Sequence, residues 1–246
     1  ALRSFEFATY IDDEFVGAFL EKGKSLERLK RYEEAIESYN RTIELDDPTS
    51  YALLRIGKCY EKLGNKTKAL DYFNKTVHED PLLDKGWIAI TDFYVRKKNY
   101  QKALYYVNKA LAIDGQNRLY WKRYATINKA MNMFEEAEFG YRKAIEFGDA
   151  ELDTWLFWVD IMLIMGENNN AILTLVQATE YFPDKFEIEY RLAGFHFTLN
   201  ENEKGNFHLN NALRINFKNK TILKELFPMI WERKSVQEYI AKNKKS

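Results

Sequence analysis

The chain has 246 residues, 46% of them hydrophobic, enough apolar side chains for a sizeable core in one or two domains. Thirty-seven Lys and Arg balance 37 Asp and Glu, which excludes a chain that coats nucleic acid or an anionic membrane by bulk charge, so electrostatic work must be local. Eleven Gly and four Pro leave few turns, which disfavours an all-β or disordered chain and favours long helices.

From the N-terminus onward the sequence repeats every 34 residues. Alanine recurs at Ala1, Ala35, Ala69, Ala103, Ala137 and Ala171, and further steps land on Gly205 and Tyr239. Four residues beyond these positions lies a large side chain: Phe5, Tyr39, Phe73, Val107, Tyr141, Leu175 and Leu209. Seven beyond lies a small one: Ala8, Thr42, Thr76, Ala110, Ala144, Ala178 and Ala212. This is one stripe of a helix, small where a neighbouring helix must approach closely. Upstream of each stripe sits a second amphipathic segment. Its apolar positions include Leu53, Ile56, Gly57 and Tyr60, then Trp87, Ile90 and Tyr94, then Trp121, Tyr124 and Ala125, then Trp155, Trp158, Val159 and Met162.

Gly64, Asn132, Gly166 and Asn200 fall at the junction between the two segments, where a turn needs a permissive backbone, and Pro81 and Pro183 close units. The spacing predicts an all-α chain of helix, tight turn, helix and short link over 16–49, 50–83, 84–117, 118–151, 152–185 and 186–219. Residues 1–15 read as the second helix of a truncated repeat, and so as part of a longer protein. Residues 220–246 read as atypical capping helices, the first broken by Pro228. Ser235 with Glu238 offers a capping box for the last helix, with Val236, Tyr239 and Ile240 on its apolar side.

At these residues the chain resembles the tetratricopeptide repeat (TPR) family. The segment 50–83 matches its pattern most fully, through Leu53, Ile56, Gly57, Tyr60, Ala69, Phe73, Thr76 and Pro81. The resemblance implies a right-handed α-solenoid, a superhelix of stacked antiparallel helix pairs whose first helices line a concave surface for a partner's peptide or helix. Departures lie at Lys22 in the first unit and at Glu189 and Gly205 in the sixth, where looser packing is expected. The family's clamp for a terminal carboxylate is incomplete: Thr126 follows Lys122, and Phe157 stands in the next unit.

No grouping for catalysis emerges, so the chain reads as a non-enzyme with no cofactor and no metal. His78, His196 and His208 are too few and badly spaced for a metal site, and His196 reads as a core residue. Gly23-Lys24-Ser25 lacks the earlier glycine of a phosphate loop and lies inside a helix. The lone Cys59 sits on an apolar helix face and reads as an inert buried thiol. It excludes an internal disulfide framework and, with no visible secretory signal, points to the cytoplasm. The most apolar stretch, Trp155–Met165, is too short for a bilayer and carries Asp160, so no membrane association is expected.

The face opposite the core stripe gives the candidate partner-binding residues: Lys24, Arg28, Leu54, Arg55, Lys58, Lys62, Ile88, Arg96, Lys122, Arg123 and Lys129. Basic residues outnumber acidic ones there, which suits a protein or peptide partner of acidic character. The helix around Trp155 is apolar on nearly all sides, and Leu156, Phe157, Leu163 and Ile164 are left over for a partner or for self-association. The function read from these features is a non-catalytic scaffold. An RNA-binding α-solenoid is the alternative, with the same cations and Tyr51, Tyr190 or Phe197 as stacking surfaces; zero net charge and the repeat length count against nucleic acid.

Overall fold

The computed structural model describes residues 2–46 and 49–243, and among them there are helices and no strand. The fold is an all-α solenoid of antiparallel helix pairs. Ala1 and the last three residues of the basic tail lie outside the described residues. The chain divides into two compact blocks, Ala1–Gln116 and Asn117–Ser246. The first holds α1 (Leu2–Ile11) and the pairs α2 (Val16–Arg28) with α3 (Tyr32–Leu45), α4 (Ser50–Lys62) with α5 (Lys66–Glu79), and α6 (Asp84–Arg96) with α7 (Tyr100–Ile113). The second holds α8 (Arg118–Ala130) with α9 (Phe134–Glu146), α10 (Leu152–Met165) with α11 (Asn168–Tyr181), and α12 (Phe186–Thr198) with α13 (Asn202–Asn216). A 3-10 turn (Phe217–Lys220) then leads to α14 (Thr221–Leu226), α15 (Pro228–Trp231) and α16 (Lys234–Lys242).

The first helices of the six pairs start at residues 16, 50, 84, 118, 152 and 186, in step with the sequence period. Each ends the same way. Lys30, Gly64, Lys98, Asn132, Gly166 and Asn200 have φ of 61, 77, 56, 60, 77 and 62°. The amide of the following residue then bonds a carbonyl five residues back, as in Asn65 N to Tyr60 O at 2.9 Å and Glu167 N to Met162 O at 2.9 Å. Glycine and asparagine tolerate this left-handed turn, whereas Lys30 and Lys98 occupy it at about 1 kcal/mol or more each. Asn65 and Asn99 then cap α5 and α7, accepting from Lys68 N and Lys102 N at 3.1 Å each.

The stripe of the second helices is the core. Ala35, Tyr39, Ala69, Phe73, Ala103, Val107, Ala137, Tyr141, Ala171 and Leu175 are each at most 1% exposed. The stripe works through close approach: a Cβ on Gly57 of α4 would sit 2.6 Å from the Phe73 ring. A second periodic contact joins the paired helices at a stacked ring pair, Tyr60 on Tyr72, Tyr94 on Tyr106 and His196 on His208.

Two expectations need correction. The sixth pair is not loosely packed: Ile188, Tyr190, Leu192, Ala193, Phe195 and Phe197 of α12 are all buried. Gly205 is filled by the Phe197 ring, 2.6 Å from where a Cβ would stand, and Glu189 accepts from His208 Nδ1 at 2.9 Å. Nor does Ser235 cap the last helix. Arg233, extended at φ −63° and ψ 125°, is the N-cap residue of α16, its guanidinium donating to the Phe197 carbonyl at 3.0 Å. Val236 and Ile240 are buried as their spacing demands. Phe227 packs edge-on against Phe195, 5.1 Å between centroids, and Pro228 opens α15.

Candidate functional site

In the N-terminal block the first-helix face is carried by α2, α4 and α6. Lys24 Nζ lies 2.6 Å from Glu21 and 5.2 Å from the Tyr51 ring centre, and Arg28 is exposed. Arg55 is held two-pronged by Glu27, its Nε donating to Oε1 at 2.9 Å and its Nη2 bonding Oε2. Arg96 is likewise paired with Glu61. These ion pairs join neighbouring first helices and neutralise charge that helix-by-helix reading assigns to a partner. Among the described residues Lys58 and Lys62 form no ion pair within 4 Å. Lys58 is half-buried, and burial, reinforced by Arg55 and only partly opposed by Glu61 and Asp92, pushes its pKa below the ordinary lysine value. Leu54 and Ile88 are interior residues, 3% and 9% exposed, with Leu54 in a cluster with Ala69, Phe73 and Ile90.

Cys59 is 1% exposed and hydrogen-bonds Glu27 Oε1 at 3.5 Å. Burial pushes its thiol up to about 11, against a smaller opposing effect of Arg55. At about pH 8 that leaves roughly a hundredfold less thiolate than an ordinary thiol. Iodoacetamide should therefore label the folded chain at least about a hundredfold more slowly than the urea-unfolded chain. Mass spectrometry reads the ratio; comparable rates would contradict the burial.

In the C-terminal block α8 and α10 carry the face. Lys122 Nζ bonds Glu151 at 2.5 Å and lies 3.7 Å from Asp149, so it closes the α9–α10 turn. Arg123 donates to the Leu119 carbonyl at 3.5 Å. Lys129 Nζ sits 5.1 Å above the Phe157 ring. Of the apolar set, Phe157 and Ile164 are 39% and 54% exposed. Leu163 is half-buried, and Leu156, 6% exposed, belongs to the core cluster with Ile188 and Leu192. The all-round apolarity of α10 is thus mostly packing on several sides: Ile161 joins Ala125, Ala137 and Tyr141, while Trp155, Val159 and Met162 face Ala171 and Leu175.

The stacking surfaces expected for RNA are largely absent, since Tyr190 and Phe197 are 0% and 2% exposed. His196 and His208 are structural, stacked at 5.3 Å with their Nδ1 atoms on Glu201 and Glu189. Among the described residues no three His, Cys, Asp or Glu side chains are grouped to hold a metal, and no helix is long and apolar enough to cross a membrane.

The sequence model of the tetratricopeptide repeat family matches residues 18–83, and the helix pairs carry the same period on through α13. Residues 18–83 are tetratricopeptide repeats. Among solved structures, the chain is similar to the C-terminal part of a TPR repeat-containing protein from Cytophaga hutchinsonii, with TM-score 0.76, 14% identity, and 91% of this chain and 92% of that one covered. It is similar also to YrrB, described as a TPR protein with an unusual peptide-binding site, with TM-score 0.66, 17% identity and coverages of 77% and 98%. A third is pilF of Pseudomonas aeruginosa, with TM-score 0.64, 14% identity and coverages of 94% and 98%. At these identities the likeness is one of fold. No curated protein matches the sequence.

Proposed function

We propose that this TPR chain is a non-catalytic scaffold that holds an acidic segment of a partner protein in a groove lined by the first helices of its N-terminal block, α2, α4 and α6. The observation that carries the reading is Lys58: an ammonium half-buried on α4 beside Arg55, whose burial the attraction of Glu61 and Asp92 does not offset. Such a group is satisfied well by a carboxylate brought from outside. Lys62 and Arg28 add positive charge to this block, while Phe157 and Ile164 of the C-terminal block, with Lys129 over the Phe157 ring, form a separate apolar patch open to a partner or to a second copy of the chain. The fold is one on which peptide binding occurs, as in YrrB.

The test is selection of peptides from a random displayed library on the intact chain. Acidic sequences should be enriched, and Lys58→Glu with Arg28→Glu should weaken the selected peptides at least about tenfold and flatten their salt dependence, with helicity unchanged. Lys122 is left out because its reversal would open the α9–α10 turn. Enrichment without an acidic bias, or binding indifferent to the reversals, would overturn the acidic reading.

A further inference from the structure

We propose that the cleft bounded by the ends of α4 and α6 and the start of α5 binds a phosphorylated side chain of the partner segment. The cleft is a cavity of about 340 Å3 whose rim carries Lys62, Lys66, Arg96 and Lys97, with Glu61 the sole carboxylate in its lining. Glu61 is already engaged by Arg96. Among the described residues Lys62, Lys66 and Lys97 form no ion pair, so three ammonium groups surround one cavity whose single carboxylate is shared with Arg96. Lys97 Nζ lies 6.0 Å from the Phe93 ring centre, which holds it over the floor. Lys66 is the first residue of α5, whose first turn contains no acidic residue, so the helix dipole adds to the positive potential instead of being cancelled.

A lone carboxylate would leave most of this charge uncompensated. A phosphoryl group brings close to two negative charges and three acceptor oxygens, matching a rim of three free ammonium groups. The floor selects the carrier: Ala69 and Phe93, 1% and 9% exposed, present apolar surface that a free anion would leave unused and that the methyl of a phosphothreonine would cover. The inference rests on the reading of these helices as partner-binding, since Lys62 and Arg96 belong to the same face.

The probe is a blocked Gly-phosphothreonine-Gly peptide, titrated into the intact 15N-labelled chain. Saturable amide shifts are expected at Lys66, Ala69, Phe93 and Lys97, with affinity at least about tenfold above that of inorganic phosphate and of the peptide carrying Glu in place of phosphothreonine. Lys62→Gln, Lys66→Gln and Lys97→Gln together should abolish the shifts. These positions are exposed, so the fold should persist, and circular dichroism checks it. The proposal is overturned by shifts that do not saturate, by inorganic phosphate binding as well as the peptide, or by indifference to the triple substitution. The probe has no acidic group besides its phosphate and the substitutions spare Lys58 and Arg28. Saturable shifts beside a failed library selection would therefore retain this pocket and discard the acidic groove, and the reverse pattern would do the opposite.

Discussion

Phe73→Ala should lower the unfolding free energy by about 3–5 kcal/mol, the cost of a large buried ring plus the cavity it leaves. Phe73 is fully buried among Leu54, Ala69, Val77, Ala89 and Ile90, so its loss opens the interface between two neighbouring helix pairs and not the interior of one alone. The site has little room to collapse, because α4 and α5 already approach closely at Gly57. The same geometry predicts the converse substitution. Gly57→Ala places a Cβ 2.6 Å from the ring and should cost about 1–3 kcal/mol. With Phe73→Leu in the background much of that overlap disappears, so the double variant should be more stable than the sum of the singles by about 1 kcal/mol. Urea titrations followed by circular dichroism give the cycle. A Phe73→Ala loss under about 1 kcal/mol, or strict additivity, would show that the contact is not the one holding the pair together.

Such contacts were readable from sequence because they obey two superposed periods. Small, large, small along a helix marks Ala69, Phe73 and Thr76 as one face, and the recurrence at 34 residues marks that face as the one every pair buries. The turns were half readable. Gly64, Asn132, Gly166 and Asn200 announce a left-handed residue, whereas Lys30 and Lys98 adopt the same φ with no local propensity for it, driven there by the packing of the helices on either side. The charged face was read least well, for a geometric reason. Glu27 and Arg55, or Glu61 and Arg96, are separated by 28 and 35 residues, so no rule of spacing along one helix connects them. Adjacent first helices lie side by side, and a residue's neighbour across them sits about one period away. Aligning the repeats and looking one register ahead for opposite charge would have exposed these pairs. The same one-helix view assigned Leu54, Ile88 and Leu156 to an open face, when all three are buried, Leu54 and Leu156 against the next pair.

The pair spanning α10 and α12 shows what is at stake when such a register holds a buried charge. Asp160 interrupts an otherwise apolar run, and it does so because Arg191, 8% exposed, must be neutralised: Nε donates to Oδ1 at 2.8 Å and Nη2 to Oδ2 at 3.0 Å. Nη1 is satisfied by the Glu187 carbonyl at 3.2 Å. Three of the five guanidinium N–H groups are therefore engaged in a largely buried setting, where attraction to the carboxylate offsets a large desolvation cost. Asp160→Leu removes only the attraction, stranding the cation, and should cost about 3–5 kcal/mol. Asp160→Leu combined with Arg191→Met removes both sides and should return the chain to within about 1 kcal/mol of the original, or above it. Chemical denaturation of the four proteins in the cycle decides. If Asp160→Leu alone is nearly neutral, or if adding Arg191→Met makes matters worse, the pair contributes by shape and not by charge. The acidic residue in the most apolar helix would then need another explanation.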